Sequence, residues 1–482
     1  MTAQERIAEL EAENAALRAQ VGELAALREQ VALLTEQVQT LQGRLAKDSH
    51  NSSKPPSSDG LARKTRSLRR RSGKKPGGQL GHRGETLHLV AAPDALVEHR
   101  PAVCAACRAP LANDALVVLR ERRQVQDLPP LLRLHITEHQ ALHVRCPACQ
   151  AVSAGTLPAD VPSRVQYGPR LRAFAVYLVE QQFIPYGRVR ELFADRFGTC
   201  LSRGTLVAWV RQAAAVLEPV EGQIKAALAR APVLHNDETG VRQAGRLAWA
   251  HVASTDQLTH YAIHAKRGRE ATDAIGILPT FTGASVHDGW AAYRAHTACR
   301  HALCNIHHLR ELTFLEERYQ QGWARNLKHL LLDMKATVEQ ARRRGQTALT
   351  TSARDTLIAR YDEILAAGLA ANPPPVRASP RQRGRIKQSP ARNLLERLWL
   401  GKEHVLAFLD DFTIPFDNNQ AERDLRMLKV QQKVSGCFRA PSGAAAFGRI
   451  RGYLATLRKQ GLALLAALET VFAGQPLYPG FA

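Results

Sequence analysis

The chain has 482 residues and carries 66 Lys and Arg against 44 Asp and Glu, a net charge of +22. Such a length accommodates several domains with a sizeable core, and the basic excess favours a polyanionic partner through counterion release. No apolar stretch approaches the ~20 residues of a membrane-spanning helix, and the charged start lacks the apolar core of a secretory signal. A cytosolic location is the default, where the eight cysteines bind metal or stay reduced rather than pair.

Residues 1–47 read as a coiled coil, with apolar positions from Ile7 and Leu10 through Leu17, Val21, Leu24 and Leu27 to Leu45. Asn14 fills a seam position, which favours one register and a parallel dimer. The Val21, Leu24, Leu27 spacing is a stammer. The pattern predicts self-association as a homodimer or higher oligomer; a single amphipathic helix packed on its own protein is the other reading. Residues 48–98 read as a basic, largely disordered linker. Asn51-Ser-Ser-Lys-Pro-Pro opens it and has little to bury. Its cationic run includes Arg69, Arg70, Arg71, Lys74 and Lys75, suited to phosphates without reading base sequence.

Residues 99–155 contain Cys104-Ala-Ala-Cys107 and Cys146-Pro-Ala-Cys149. Two Cys-x-x-Cys knuckles have the spacing of a tetrahedral, structural Zn²⁺ site, since four thiolates leave no open position. Residues 165–225 read as helices. One ends at Gly198 and the next starts with Ser202 as N-cap. This suits either a helix-turn-helix or an ordinary helical hairpin, with Arg203 and Arg211 as candidate DNA contacts in the first case.

From 231 to 460 the pattern switches to three short strands, a helix and a fourth strand ending at Asp288. This is a mixed sheet with helices on its faces, as in the ribonuclease H fold. A helical insertion spans about 312–405, and residues 461–482 form a C-terminal helix and tail. The fold class is therefore multidomain α/β: coiled coil, small zinc-binding domain, helical DNA-binding region and ribonuclease H-like domain.

Three acids carry the chemistry. Asp237 ends the run Val233-Leu-His-Asn, Asp288 ends Ala284-Ser-Val-His, and Glu422 sits in the start of a basic helix, Asp417-Asn-Asn-Gln-Ala-Glu422. Two strand-end aspartates and a helical glutamate can hold two Mg²⁺ (or Mn²⁺) ions, which clamp the attacking and leaving oxygens of a phosphoryl displacement. Glu238 should face the other side of its strand, and Asp417 should cap the helix. Glu422 shares an arc with Arg426, Lys429 and Lys433, which reads either as a simple Glu422–Arg426 pair or as a surface that grips DNA phosphates.

At these residues the chain resembles transposases of the insertion sequence 66 family. The resemblance rests on Asn51-Ser-Ser-Lys-Pro-Pro-Ser-Ser-Asp59, Lys75-Pro-Gly-Gly-Gln-Leu-Gly-His-Arg-Gly, the double Cys-x-x-Cys, Pro415-Phe-Asp-Asn-Asn-Gln-Ala-Glu-Arg-Asp-Leu-Arg, and Gly448-Arg-Ile-Arg-Gly-Tyr-Leu-Ala-Thr. It implies a bacterial, nucleoid-associated enzyme that cuts and rejoins DNA at element ends and in a target, assisted in some elements by accessory proteins. It also implies catalytic Asp237, Asp288 and Glu422, with Asp237 bridging both ions. Cys304-Asn-Ile-His307 is similar to a Cys-x-x-His element found between the second acid and the glutamate in several such enzymes. A non-catalytic DNA-binding regulator and a nuclease without strand transfer are the alternatives.

Overall fold

The computed structural model describes residues 3–52, 81, 88–128, 133–375, 386 and 388–480. Arg69, Arg70, Arg71, Lys74 and Lys75 lie outside the described residues. The elements are α1 (Ala3–Leu45), β1 (His143–Arg145), β2 (Val152–Ala154), α2 (Pro169–Val176), α3 (Tyr186–Phe197), α4 (Arg203–Val216), α5 (Glu218–Ala229), β3 (Val233–Gln243), β4 (Arg246–Ser254), β5 (Thr259–His264) and α6 (Arg269–Ile275). They continue with β6 (Ala284–His287), α7 (Ala291–Arg294), β7 (Arg300–Leu303), α8 (Asn305–Tyr319), α9 (Gly322–Arg343), α10 (Thr351–Ala371), α11 (Pro390–Leu400), α12 (Lys402–Val405), α13 (Ala407–Asp410), α14 (Asn419–Ser435), α15 (Pro441–Lys459) and α16 (Leu464–Phe472). None of the described helices is long and apolar enough to cross a membrane.

The larger sheet is mixed, in the order β5-β4-β3-β6-β7. β3, β4 and β5 form an antiparallel meander, and β6 and β7 add in parallel on the other side of β3. The β3–β4 hairpin turns at Ala244 and Gly245, both with positive φ, the geometry of a two-residue turn matched to strand twist. β3 therefore runs well beyond the apolar stretch, and Asp237 lies inside the strand rather than at its end. The strand survives because Asp237 to Gln243 all pair with β4, so backbone hydrogen bonding outweighs the poor strand propensity of Asp, Glu and Gly.

Three apolar cores flank this sheet. One joins α2–α5 to α15 and α16, with Phe193, Leu206, Ile450 and Leu468 among its buried side chains; the helices of residues 165–225 thus share their core with the C-terminal helices. A second fills the space between β6, β7 and the insertion helices α8–α13, through Leu327, Tyr361 and Leu398. A third holds α14 against β3 and β4 through Val241, Val252, Leu425 and Leu428.

Edge strand β5 is closed by α15. A Cβ at Gly448 would stand 3.0 Å from the Tyr261 carbonyl, and one at Gly452 would stand 3.1 Å from that of Thr259. Glycine at both positions lets the helix seat directly on the strand. The buried N–H of Thr259 then donates to Thr456 Oγ1 at 3.0 Å, so an edge donor finds a partner without another strand.

Helix boundaries follow their capping chemistry. α3 ends at Gly198 with φ 63°, and Ser202 accepts the Thr205 N–H at the start of α4, as the sequence predicts. α1 is a single helix whose Ile7, Leu17, Leu24 and Leu34 are each more than half exposed. Its C-terminal end rests on α8, with Lys47 over the Phe314 ring and Arg318 donating to Gln42. Residues 48–52, assigned by sequence to the linker, form a built turn instead. The Asp48 N–H donates to Asn51 Oδ1 at 2.9 Å, the His50 N–H donates to Asp48 Oδ1, and Asn51 Nδ2 reaches the Ala46 carbonyl. Asx side chains supply locally the partners that a short polar segment otherwise finds in water.

Between α2 and α3 a π-helical turn, Tyr177–Gln181, points both Glu180 and Gln181 inward. Gln181 accepts from the buried Arg451, while burial pushes the Glu180 carboxyl from 4.5 up to about 8 despite the Arg451 charge. The folded state therefore holds a proton that the unfolded chain releases above pH 4.5, so stability falls as pH rises from about 4.5 to about 8. Glu180→Gln should remove this slope, with a melting temperature exceeding the wild type by a margin that grows from pH 5 to pH 8 and reaches about 5 °C or more; a calorimetric pH series measures it.

Candidate active site

β3 and β6 pair in parallel, Val233 with Ala284, Leu234 with Ser285 and His235 with Val286. Continuing the same register two residues further sets Asp237 level with Asp288. β6 pairs with β7 from Ala284–Arg300 to His287–Leu303, and one more step sets Asp288 level with Cys304. Because neighbouring residues in a parallel register share a face, Asp237 within β3, Asp288 just past β6 and Cys304 just past β7 fall in register on one face of the sheet.

Glu422 enters from above, in the first turn of α14, a helix packed against β3 and β4. Its placement depends on Asn418, which is only 1 % exposed. The Asn418 amide donates to the Asn236 carbonyl at 2.8 Å, its Oδ1 meets His235 Nδ1 at 2.8 Å, and its backbone N–H points at Cys304 Sγ at 3.2 Å. With that side chain turned inward, Asn418 is the N-cap without a side-chain cap bond, and Asp417, expected from the sequence to cap the helix, lies one residue earlier and accepts the Asn419 N–H at 3.1 Å. The Phe416 carbonyl also accepts the Asn305 N–H, fixing the start of α8 to the same junction.

The cluster is electrostatically crowded. Burial, then the charges of Glu238, Asp288 and Glu422, push the Asp237 carboxyl well above its ordinary range. Glu422 Oε1 is buried without a hydrogen-bond partner, and its ion-pair neighbour among the described residues is His307, at 4.0 Å, rather than Arg426. Carboxylates concentrated in this way fit a divalent cation, which would supply the missing positive charge.

Glu238, next to Asp237, lies on the opposite face, as strand alternation predicts. It accepts from Arg267 Nε at 2.8 Å and from the Tyr293 hydroxyl, and Arg267 is itself stacked between Trp249 and Trp290. Asp288 accepts the Trp290 N–H at 2.9 Å across a turn in which Gly289 has φ 93°. His287 is fully buried and accepts the Gly289 N–H; burial lowers its imidazole to about 3, so it stays neutral. His308 turns into the protein toward Asn305, leaving His307 as the histidine beside the site.

Of the cationic residues singled out by sequence, Arg203, Arg211, Arg426 and Lys433 are exposed. Lys429 donates to the Gly240 carbonyl at 3.0 Å and so also ties α14 to β3. The two cysteine knuckles have matching forms. Arg108 and Gln150 take φ of 61° and 59°, and their N–H groups return to the Cys104 and Cys146 carbonyls. Backbone N–H groups within each loop favour the thiolates of Cys104 and Cys146. The structure does not gather the four thiols. Among the described residues, the group whose ligand atoms all lie within 4.8 Å of one another is Cys304, His307 and Glu422. The Cys-x-x-His spacing is the sequence signal for two of these residues; strand β7, which positions them, has no such signal.

The sequence matches the family described as "Transposase IS66 family" over residues 164–446, more than half of the chain. A family of unknown function matches residues 2–88. The uncharacterized protein y4jD of Sinorhizobium fredii is 26 % identical over 409 residues, covering 78 % of this chain and 75 % of that protein.

The Asn418 junction generates a stability prediction. Asn418→Ala removes the donor to the buried Asn236 carbonyl and should cost about 1–3 kcal/mol. Asn418→Asp should not restore it, because a carboxylate cannot donate. Urea unfolding of the three proteins measures both effects.

Proposed function

This chain belongs to the IS66 transposase family, and from that premise we propose that it is a DNA transposase that cuts and rejoins DNA at the ends of a mobile element. The observation that supports this reading is the close approach of Asp288 and Glu422 to Asp237 on the central strand, in a mixed sheet whose strand order is in keeping with a ribonuclease H-like domain. Asp237, Asp288 and Glu422 would hold Mg²⁺ or Mn²⁺. When bound, such ions activate the attacking oxygen and stabilise the leaving oxygen of a phosphodiester.

The protein's own residues do the remaining work. Asn418 holds the glutamate helix against the central strand, so the carboxylates are preorganised before DNA arrives. Arg426 and Lys433 continue the solvent-facing arc beyond Glu422 and contact backbone phosphates, with Arg203 and Arg211 as further contacts. Cys104, Cys107, Cys146 and Cys149 would hold a structural Zn²⁺ once the two knuckles come together; their loop N–H groups suit thiolate ligands. The exposed apolar stripe of α1 supports pairing with a second copy, which would bring two element ends together. Accessory proteins of the same element are further partners.

Strand cleavage and joining on a supercoiled plasmid carrying the cognate ends tests this reading. Wild type with Mg²⁺ should give products, whereas chelator, or Asp237→Asn, should reduce them by at least about 10³-fold with DNA binding retained. Binding without cleavage by wild type, even with the element's other products added, would favour the regulator. Cleavage without joined products when 3′-hydroxyl donor ends are supplied would favour the nuclease.

A further inference from the structure

Cys304 directly follows β7 as the N-cap of α8 and is buried, its N–H donating to the His287 carbonyl at 2.9 Å, next to Asp288. His307 lies one turn into α8 and turns to the same side, with its Nε2 4.0 Å from Glu422 Oε1. One ligand atom from each of Cys304, His307 and Glu422 lies within 4.8 Å of the others. Two atoms of this group, His307 Nδ1 and Glu422 Oε1, are buried with no hydrogen-bond partner. Asn418 directs a backbone N–H at the sulfur, as amides do around metal-bound thiolates. The cluster is incomplete as a hydrogen-bonded network but consistent as a ligand set.

We propose that Cys304, His307 and Glu422 form a site for a borderline divalent cation of the Zn²⁺ type. Sulfur and imidazole donors select such a cation over Mg²⁺, which prefers oxygen alone. Around tetrahedral Zn²⁺, ligand atoms stand about 3.3–3.8 Å apart, so the His307–Glu422 pair closes by less than about 1 Å. Three protein ligands leave a fourth position open to water or phosphate. Glu422 is then shared between two kinds of metal chemistry. On the reading that it also binds Mg²⁺, a Zn²⁺-type ion held by Cys304 and His307 competes for the glutamate and limits the active fraction.

The site itself is tested by titrating the metal-free, full-length protein with Co²⁺, whose thiolate charge-transfer absorption reports sulfur ligation. Wild type is compared with Cys304→Ser and His307→Asn; the four knuckle cysteines are common to all three and cancel in the difference. The expected result is one additional Co²⁺ per chain in wild type, lost in Cys304→Ser, weakened at least tenfold in His307→Asn and displaced by Zn²⁺ but not by millimolar Mg²⁺. Equal stoichiometry and equal absorption in wild type and the variants would overturn the proposal. If Cys304→Ser does not fold, the partly exposed His307→Asn carries the comparison alone. Intact Mg²⁺-dependent cleavage without the cobalt difference defeats this site only; the cobalt difference without cleavage defeats the transposase reading only.

Discussion

A buried amide holds this acidic cluster together. Asn418 connects β3 and α14 through partners more than 180 positions away in the chain, and it does so without access to water. Each of its polar atoms must find a protein partner, because an unpaired buried amide costs far more than a made hydrogen bond gains. That requirement leaves one orientation for the start of α14, with His235 on one side, the Asn236 carbonyl beneath and Cys304 alongside. The position of Glu422 relative to Asp237 follows from that orientation. Lys429, bound to the Gly240 carbonyl, fastens the same helix to the same strand about two turns further on.

The sheet then separates two adjacent carboxylates into different roles. Asp237 faces a crowd of like charges with no compensating cation, a costly arrangement for a folded protein. Glu238, its neighbour, is buried too but is met by a guanidinium and a phenol. Only the period-two alternation of a strand distinguishes them. The uncompensated carboxylate is the one positioned to bind something, and its compensated neighbour anchors the turn that carries Asp288 and Trp290.

Much of this was readable from the sequence where local physics decides. Gly198 and Ser202 bound their helices as capping rules require, and Val233, Leu247 and Thr259 lie in strands as alternation predicts. The acids themselves stood out through their motifs. What escaped was decided at long range. β3 continues through Asp-Glu-Thr-Gly because β4 pairs with it, against local propensity. β7 begins with Arg and His and was not anticipated as a strand; it forms one because β6 offers it an edge. The turn at Asp48–Ser52 reads in the sequence as the start of the linker, since its hydrogen bonds are local and it buries little apolar surface. The grouping of His307 with Glu422 needs β7, α8 and α14 in place together, and no spacing rule conveys that.

The seating of α15 on β5 also places a clock on maturation. The Thr259 N–H and its partner hydroxyl on Thr456 are 197 residues apart. At a synthesis rate of about 5–20 residues per second, the meander's outer strand waits roughly 10–40 s on the ribosome before the helix that closes it exists. During that interval an unpaired strand edge is open to whatever is nearby, including another growing copy from the same message. The acid-bearing sheet is therefore completed late in translation rather than as an early, independent unit.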